Sequence, residues 1–164
     1  MKKLTDYLKL GAVIAFVPTV LTAQTYNITE SARNIYAHVQ KHGTPIIHQL
    51  NQRYIPARSY DLTQDEGKTR IKFTVFEVNG FPYLVMTRRS DHKVEEFTDR
   101  APNAGSGIDG FIDSATMQEG TGPKQPIDLN KIDIGDMPIG ATWEASFARS
   151  VFLADKSIKQ YKPH

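Results

Sequence analysis

Cysteine is absent from all 164 residues. No disulfide scaffold, thiolate nucleophile, cysteine-ligated zinc or lipid-modified cysteine anchor is therefore open to this chain, and its core must hold it together. Long hydrophobic runs are absent too. The most apolar stretch, Leu10 to Leu21, is far shorter than the ~20 residues a membrane-spanning helix needs. Missing as well are a Gly-x-Ser-x-Gly nucleophile elbow, EF-hand spacing and a true P-loop, since Gly120-Thr121-Gly122-Pro123-Lys124 has the wrong intervals. No internal repeat is visible. These gaps remove the strongest sequence signatures of catalysis and leave an ordinary globular composition, 40% hydrophobic and 23% charged, sufficient for one domain with its own core.

A surplus of one charge sign is also lacking once the N-terminus is set aside. Lys2, Lys3 and Lys9 precede the apolar run, and Thr22-Ala23 follows it as a small-residue cleavage site. Residues 1–23 thus have the layout of a secretory signal peptide. Taking three Lys and one Asp from 20 basic and 18 acidic residues leaves 17 of each, so residues 24–164 are neutral. Such a chain has no global pull toward nucleic acid. Export without cysteine fits the bacterial periplasm or exterior better than a eukaryotic extracellular module.

What is present centres on Lys68 to Arg89. Two apolar-rich runs flank Asn79-Gly80, the residue pair that most cheaply supplies two consecutive positive φ angles for a type I′ hairpin. If Val78 faces Phe81, Phe76 opposes Tyr83, Lys72 opposes Thr87 and Arg70 opposes Arg89. The other face, Ile71, Phe73, Val75, Leu84 and Met86, is wholly apolar. At ~1.5–3 kcal/mol per buried side chain it requires a cover worth on the order of 10 kcal/mol.

A capping box at Asn27 to Glu30 starts a helix with Ile28, Ala32, Ile35, Tyr36 and Val39 on one stripe, ending at Gly43 as a left-handed cap. Thr44-Pro45 reads as the start of a second helix that stops before Pro56, so the two form a helical hairpin over the sheet. Ser59 to Leu62 and Val94 to Thr98 read as further strands. Residues 101–126, rich in glycine and proline, read as a long loop that is functional, mobile, or hides short strands around Phe111-Ile112. Ile127 to Ile134 alternates, and Trp143 to Leu153 alternates as a long strand, with Ser157 to Tyr161 pairing back.

The expected architecture is therefore α+β: an N-terminal helical hairpin packed on a twisted antiparallel sheet of about five strands, spanning residues 24–164. This order of elements is similar to the cystatin-like and NTF2-like arrangement, which implies a sheet curled around its helices to leave a pocket. No motif accompanies the likeness, and it assigns no residues.

Candidate chemistry is sparse. His38 and His42, at i and i+4 on one helix face, point the same way and are the metal-ligand candidates, although His42 also suits a helix C-terminus as an imidazolium. Gly105 to Gly110 spells GxGxxG without the strand and helix that give the pattern meaning. The acids Asp109, Asp113, Glu119, Asp128, Asp133 and Asp136 fall in a loop-rich region without a metal-binding interval. The surface weighted most is the second face of the hairpin, with Phe76, Phe81 and Tyr83 toward the turn and Lys72, Arg70 and Arg89 toward the open end. Aromatic and basic groups side by side can grip an acidic peptide or an amphipathic ligand. The functional expectation is an exported, non-enzymatic accessory protein that binds another envelope protein or a small amphipathic ligand through its sheet, with no cofactor. Alternatives are a small hydrolase using His92 or the His38 and His42 pair with a loop aspartate, and a structural subunit of a surface assembly, which would be a multimer.

Overall fold

The computed structural model describes residues 27–130 and 143–160. The proposed signal peptide, the alternation beyond Asn130 and the residues after Gln160 lie outside them. The described residues form an α+β architecture in which helix α1 (Ile28–His42) is followed by seven antiparallel strands and helix α2 (Trp143–Gln160). The strands β1 (Thr44–Leu50), β2 (Arg53–Gln64), β3 (Thr69–Val78), β4 (Phe81–Ser90), β5 (Lys93–Arg100), β6 (Ser114–Glu119) and β7 (Gln125–Pro126) pair in chain order as a meander.

The Asn79-Gly80 turn sets the register derived from the sequence: Val78 pairs with Phe81, Phe76 with Tyr83, Thr74 with Val85, Lys72 with Thr87 and Arg70 with Arg89. Both turn residues have positive φ, 52° and 82°. The apolar face is the main core. Ile71, Phe73, Leu84, Met86 and, on β5, Phe97 are fully buried against Ile35 and Val39 of α1 and Phe147 and Val151 of α2.

Several expectations are corrected. The second helix of the N-terminal pair does not form; Thr44 to Gln64 is the β1–β2 hairpin. Its turn, Asn51-Gln52, takes φ values of 47° and 65°, the same device as at residues 79–80 but with glutamine where glycine is customary. Pro56 is tolerated because it pairs with Ile47 of edge strand β1, while the β2–β3 ladder begins only at Arg58. The sheet consequently has seven strands, and the helices lie at both ends of the chain, unlike the cystatin-like and NTF2-like order with its helices gathered first.

The segment from Trp143 is helix and not strand. Its buried residues Trp143, Ser146, Phe147, Ser150, Val151, Ala154 and Asp155 recur at the three- and four-residue intervals of one helical stripe. Two serines and an aspartate on that stripe disguise it among apolar periodicities. The helix continues through Ser157 to Gln160, so no strand pairs back there. Residues 101–126 are also not one loop: they hold the short strands β6 and β7, the first beginning at Ser114, just past Phe111-Ile112.

Gly43 caps α1 in extended geometry, φ −68°, and not in the left-handed region. Glycine is required there for space, since a Cβ would stand 2.5 Å from the Val39 carbonyl oxygen.

The segment between β5 and β6 straps α1 to the sheet. Thr29 Oγ1 donates to the Asp109 carbonyl (2.6 Å), Arg33 Nε donates to the Ile108 carbonyl (2.9 Å), and Ile108 is buried in the core. Gly110, at φ 88°, passes so close to α1 that a Cβ would lie 2.9 Å from the Ile28 carbonyl oxygen. The GxGxxG string is thus a packing device, not a nucleotide loop.

Candidate functional site

Alternation along β4 and β5 brings a second set of residues to the helix side of the sheet. Beyond buried Met86, β4 directs Arg88 and Ser90 under α2, and β5 directs Lys93 and Glu95 there ahead of buried Phe97. The two-residue turn at Asp91-His92 sets their register, pairing Ser90 with Lys93 and Arg88 with Glu95. From above, α2 contributes Ser146, Ser150, Arg149 and Leu153. Gln64 Nε2 at the end of β2 donates to the Ser150 carbonyl (3.2 Å) and joins the far wall to the helix. These groups and Thr69 line a chamber of about 330 Å³ between sheet and helix, partly open to solvent.

Glu95 is the hub of the chamber. Arg88 Nε donates to its Oε2 at 2.6 Å, and Lys93 Nζ stands 2.7 Å from Oε1, while the Glu95 side chain is only 5% exposed. Burial alone would raise its pKa, but the hydrogen bonds and charges of Arg88 and Lys93 outweigh that and hold the carboxyl below the usual range. Arg88 also donates through Nη1 to Ser146 Oγ (2.7 Å) and lies 5.5 Å from the Phe97 ring centroid. Lys93 lies 5.4 Å from the centroid of Trp143, so the cation of one wall rests on the indole at the start of α2.

A second polar cluster occupies the β5–α2 junction nearer the strap. Asp99 is fully buried, and its Oδ2 accepts the Gly110 N–H at 2.8 Å. Burial, followed by the charges of Asp109 and Asp113, pushes its carboxyl up to about 8 against the bond from Gly110. Among the described residues Oδ1 finds no donor, and the neighbouring side chain is the Asp109 carboxyl. A proton on Asp99 shared with Asp109 resolves this contact between two acceptors. Glu144 accepts the Ile112 N–H at 3.1 Å and is raised by burial and the same acids. Asp109 and Asp113 thus belong to strap geometry.

The hairpin surface singled out from sequence is assembled as expected in register but divided in exposure. Phe76 is 4% exposed, stacked between His48 (centroids 4.7 Å) and Tyr83 (4.9 Å), in a small cluster with Ala57 and Val85. Phe81 lies beneath the Arg100 guanidinium at 5.2 Å. Lys72, Arg70 and Arg89 are exposed. The pKa of His48 on β1 is lowered chiefly by burial, with the charge of Glu96 opposing the shift and that of Lys124 adding to it.

His38 and His42 do come together, ring centroids 4.7 Å apart, with Tyr60 edge-on to His38. Burial and the His42 charge lower the His38 pKa. Among the described residues no group of three or more His, Cys, Asp or Glu side chains is placed to hold a metal ion. His92 is exposed in its turn.

The chamber was missed from sequence. Arg88 was legible as facing away from the aromatic side of the hairpin, and the Arg88–Glu95 pairing follows from a two-residue turn after Ser90. Reading α2 as a strand hid Ser146 and Arg149. Compared with models of protein families, with curated proteins and with solved structures, this chain matches none. No helix among the described residues is long and apolar enough to cross a membrane.

Proposed function

We propose that this chain is an exported, non-enzymatic binding protein that takes a small amphipathic molecule into the chamber between the sheet and α2. The chamber carries the proposal: a pocket between two packed layers, with a few convergent polar groups on rigid elements, is the usual form of a small-molecule site. Its chemistry favours holding over reacting. Glu95 is committed to two cations and is a weak base, Ser146 is bonded to an arginine and not to a general base, and none of the four internal histidines lines the walls. In this reading residues 1–23 direct export, and Leu153 at the chamber wall meets the apolar part of the ligand.

Trp143 is the sole tryptophan and touches Lys93, so its emission reports on the chamber. Titrating the purified protein with fractionated low-mass extract of the envelope should give a saturable change in Trp143 fluorescence. If no fraction changes the emission while another exported protein is captured through the exposed Lys72, Arg70 and Arg89 face, the chamber is not the site.

A further inference from the structure

We infer that the chamber receives its ligand as an anion, a carboxylate or a phosphate monoester, with Arg149 as the arginine held in reserve for it. This deepens the proposed function and rests on it. The inference comes from a charge count at fixed geometry. Arg88, Lys93 and Arg149 line the chamber against the single carboxylate of Glu95. Both oxygens of that carboxylate are already engaged, one by Arg88 and the other by Lys93. One half-buried cation is therefore in excess within the cluster, and Arg149 adds a second that has no carboxylate partner among the described residues.

Arg88 and Lys93 are largely withdrawn from water with one counter-charge between them, and an incoming anion supplies the second, while Arg149, exposed at the edge of the chamber, adds its charge from the solvent side. Hydroxyl groups complete the recognition. Ser146 Oγ accepts from Arg88, which leaves its own proton to donate, and Ser150 lies one turn further along the same buried stripe. Guanidinium, ammonium and hydroxyl donors converging on one space match the acceptor-only oxygens of carboxylate and phosphate. At about 330 Å³ the chamber has room for roughly ten waters at ~30 Å³ each, which suits a small anion with a short apolar tail.

The test uses the purified chain with defined probes. Butyrate, butyl phosphate and inorganic phosphate are titrated by calorimetry and by Trp143 emission, beside neutral butyramide. The expected result is saturable binding of at least one organic anion, at least tenfold tighter than butyramide and weakening with added salt. Preference for butyl phosphate or for butyrate then tells the two sources apart. Arg149→Glu should weaken the anion at least tenfold with an unchanged melting temperature, because Arg149 is exposed and outside the Glu95 cluster, and Arg149→Lys should restore part of the affinity. Butyramide binding as tightly as butyrate overturns the anion inference while leaving the chamber as a ligand site. Arg149→Glu binding the anions unchanged overturns it too. Silence from every probe and every envelope fraction removes the proposed function itself.

Discussion

Asp99 and Glu95 stand four residues apart on the same buried face of β5, and the fold moves their protons in opposite directions. For Asp99 the folded value, about 8, lies above the 3.8 of an ordinary aspartate. The stability it contributes is full below pH 3.8 and is lost as pH rises toward 8, by at most ~1.4 kcal/mol per pH unit, because the unfolded chain releases a proton that the native state still holds. Asn at this position can accept from the Gly110 N–H through its oxygen and donate to Asp109 through its amide. Asp99→Asn should therefore raise stability at pH 8 by on the order of 2 kcal/mol and flatten the decline between pH 4 and 8. Thermal melts across that range check it, and identical curves for the two proteins would show that Asp99 holds no proton. Glu95 follows the opposite sign. Its contribution is present above pH 4.5 and is lost as pH falls through its lowered folded value. Glu95→Gln leaves Arg88 and Lys93 without their anion and should cost about 3 kcal/mol at pH 7 in urea denaturation. That difference should shrink in acid, where the native Glu95 is protonated as well.

At the scale of elements, two turns of the same kind were read differently, and the reason is a single residue. Asn79-Gly80 announces its hairpin because glycine takes positive φ without strain; Asn51-Gln52 makes the same turn with a side chain in a conformation that costs roughly 1 kcal/mol or more. Gln52→Gly should therefore stabilise the protein by about 0.5–1 kcal/mol, read as a higher urea midpoint at unchanged slope. A lower midpoint would mean that Gln52 makes a contact that outweighs its backbone strain. The β3–β4 register, α1 with its Asn27 cap and the start of β5 were legible because local chemistry and tertiary packing agree there. Thr44 to Leu50 was not, because Thr-Pro mimics a helix start while the strand is stabilised by its pairing with β2. Neither was α2, whose stripe spends two positions on serines that serve the chamber. Polar residues on a buried stripe weaken the periodic signal where they build a site. The chamber was illegible for the same reason, since its floor is written in β4 and β5 but its roof belongs to the misread helix.

For the whole molecule, the order of the strands decides where stability resides. In a meander each strand pairs only with its chain neighbours, so β3, β4 and β5 are doubly paired and carry the core side chains, while β1 and the two-residue β7 form the edges. The two helices cover one face and are tied to each other across the chain: Asp155 of α2 accepts from Ser31 Oγ (3.1 Å) and Asn34 Nδ2 (3.3 Å) of α1. That tie closes the α+β layer, so opening α2 away from the sheet exposes Phe147 and Val151 and also breaks the link to α1. Hydrogen exchange should accordingly show the amides of β3, β4 and β5 exchanging last and together, with β7 and the outward amides of β1 exchanging first. The amides of α2 should exchange with the core and not with the edges, since the helix cannot lift without losing its share of the buried face. If α2 exchanges as early as β7, it opens on its own, and the chamber is then a gap beneath a movable helix and not a cavity held at fixed dimensions between two rigid layers.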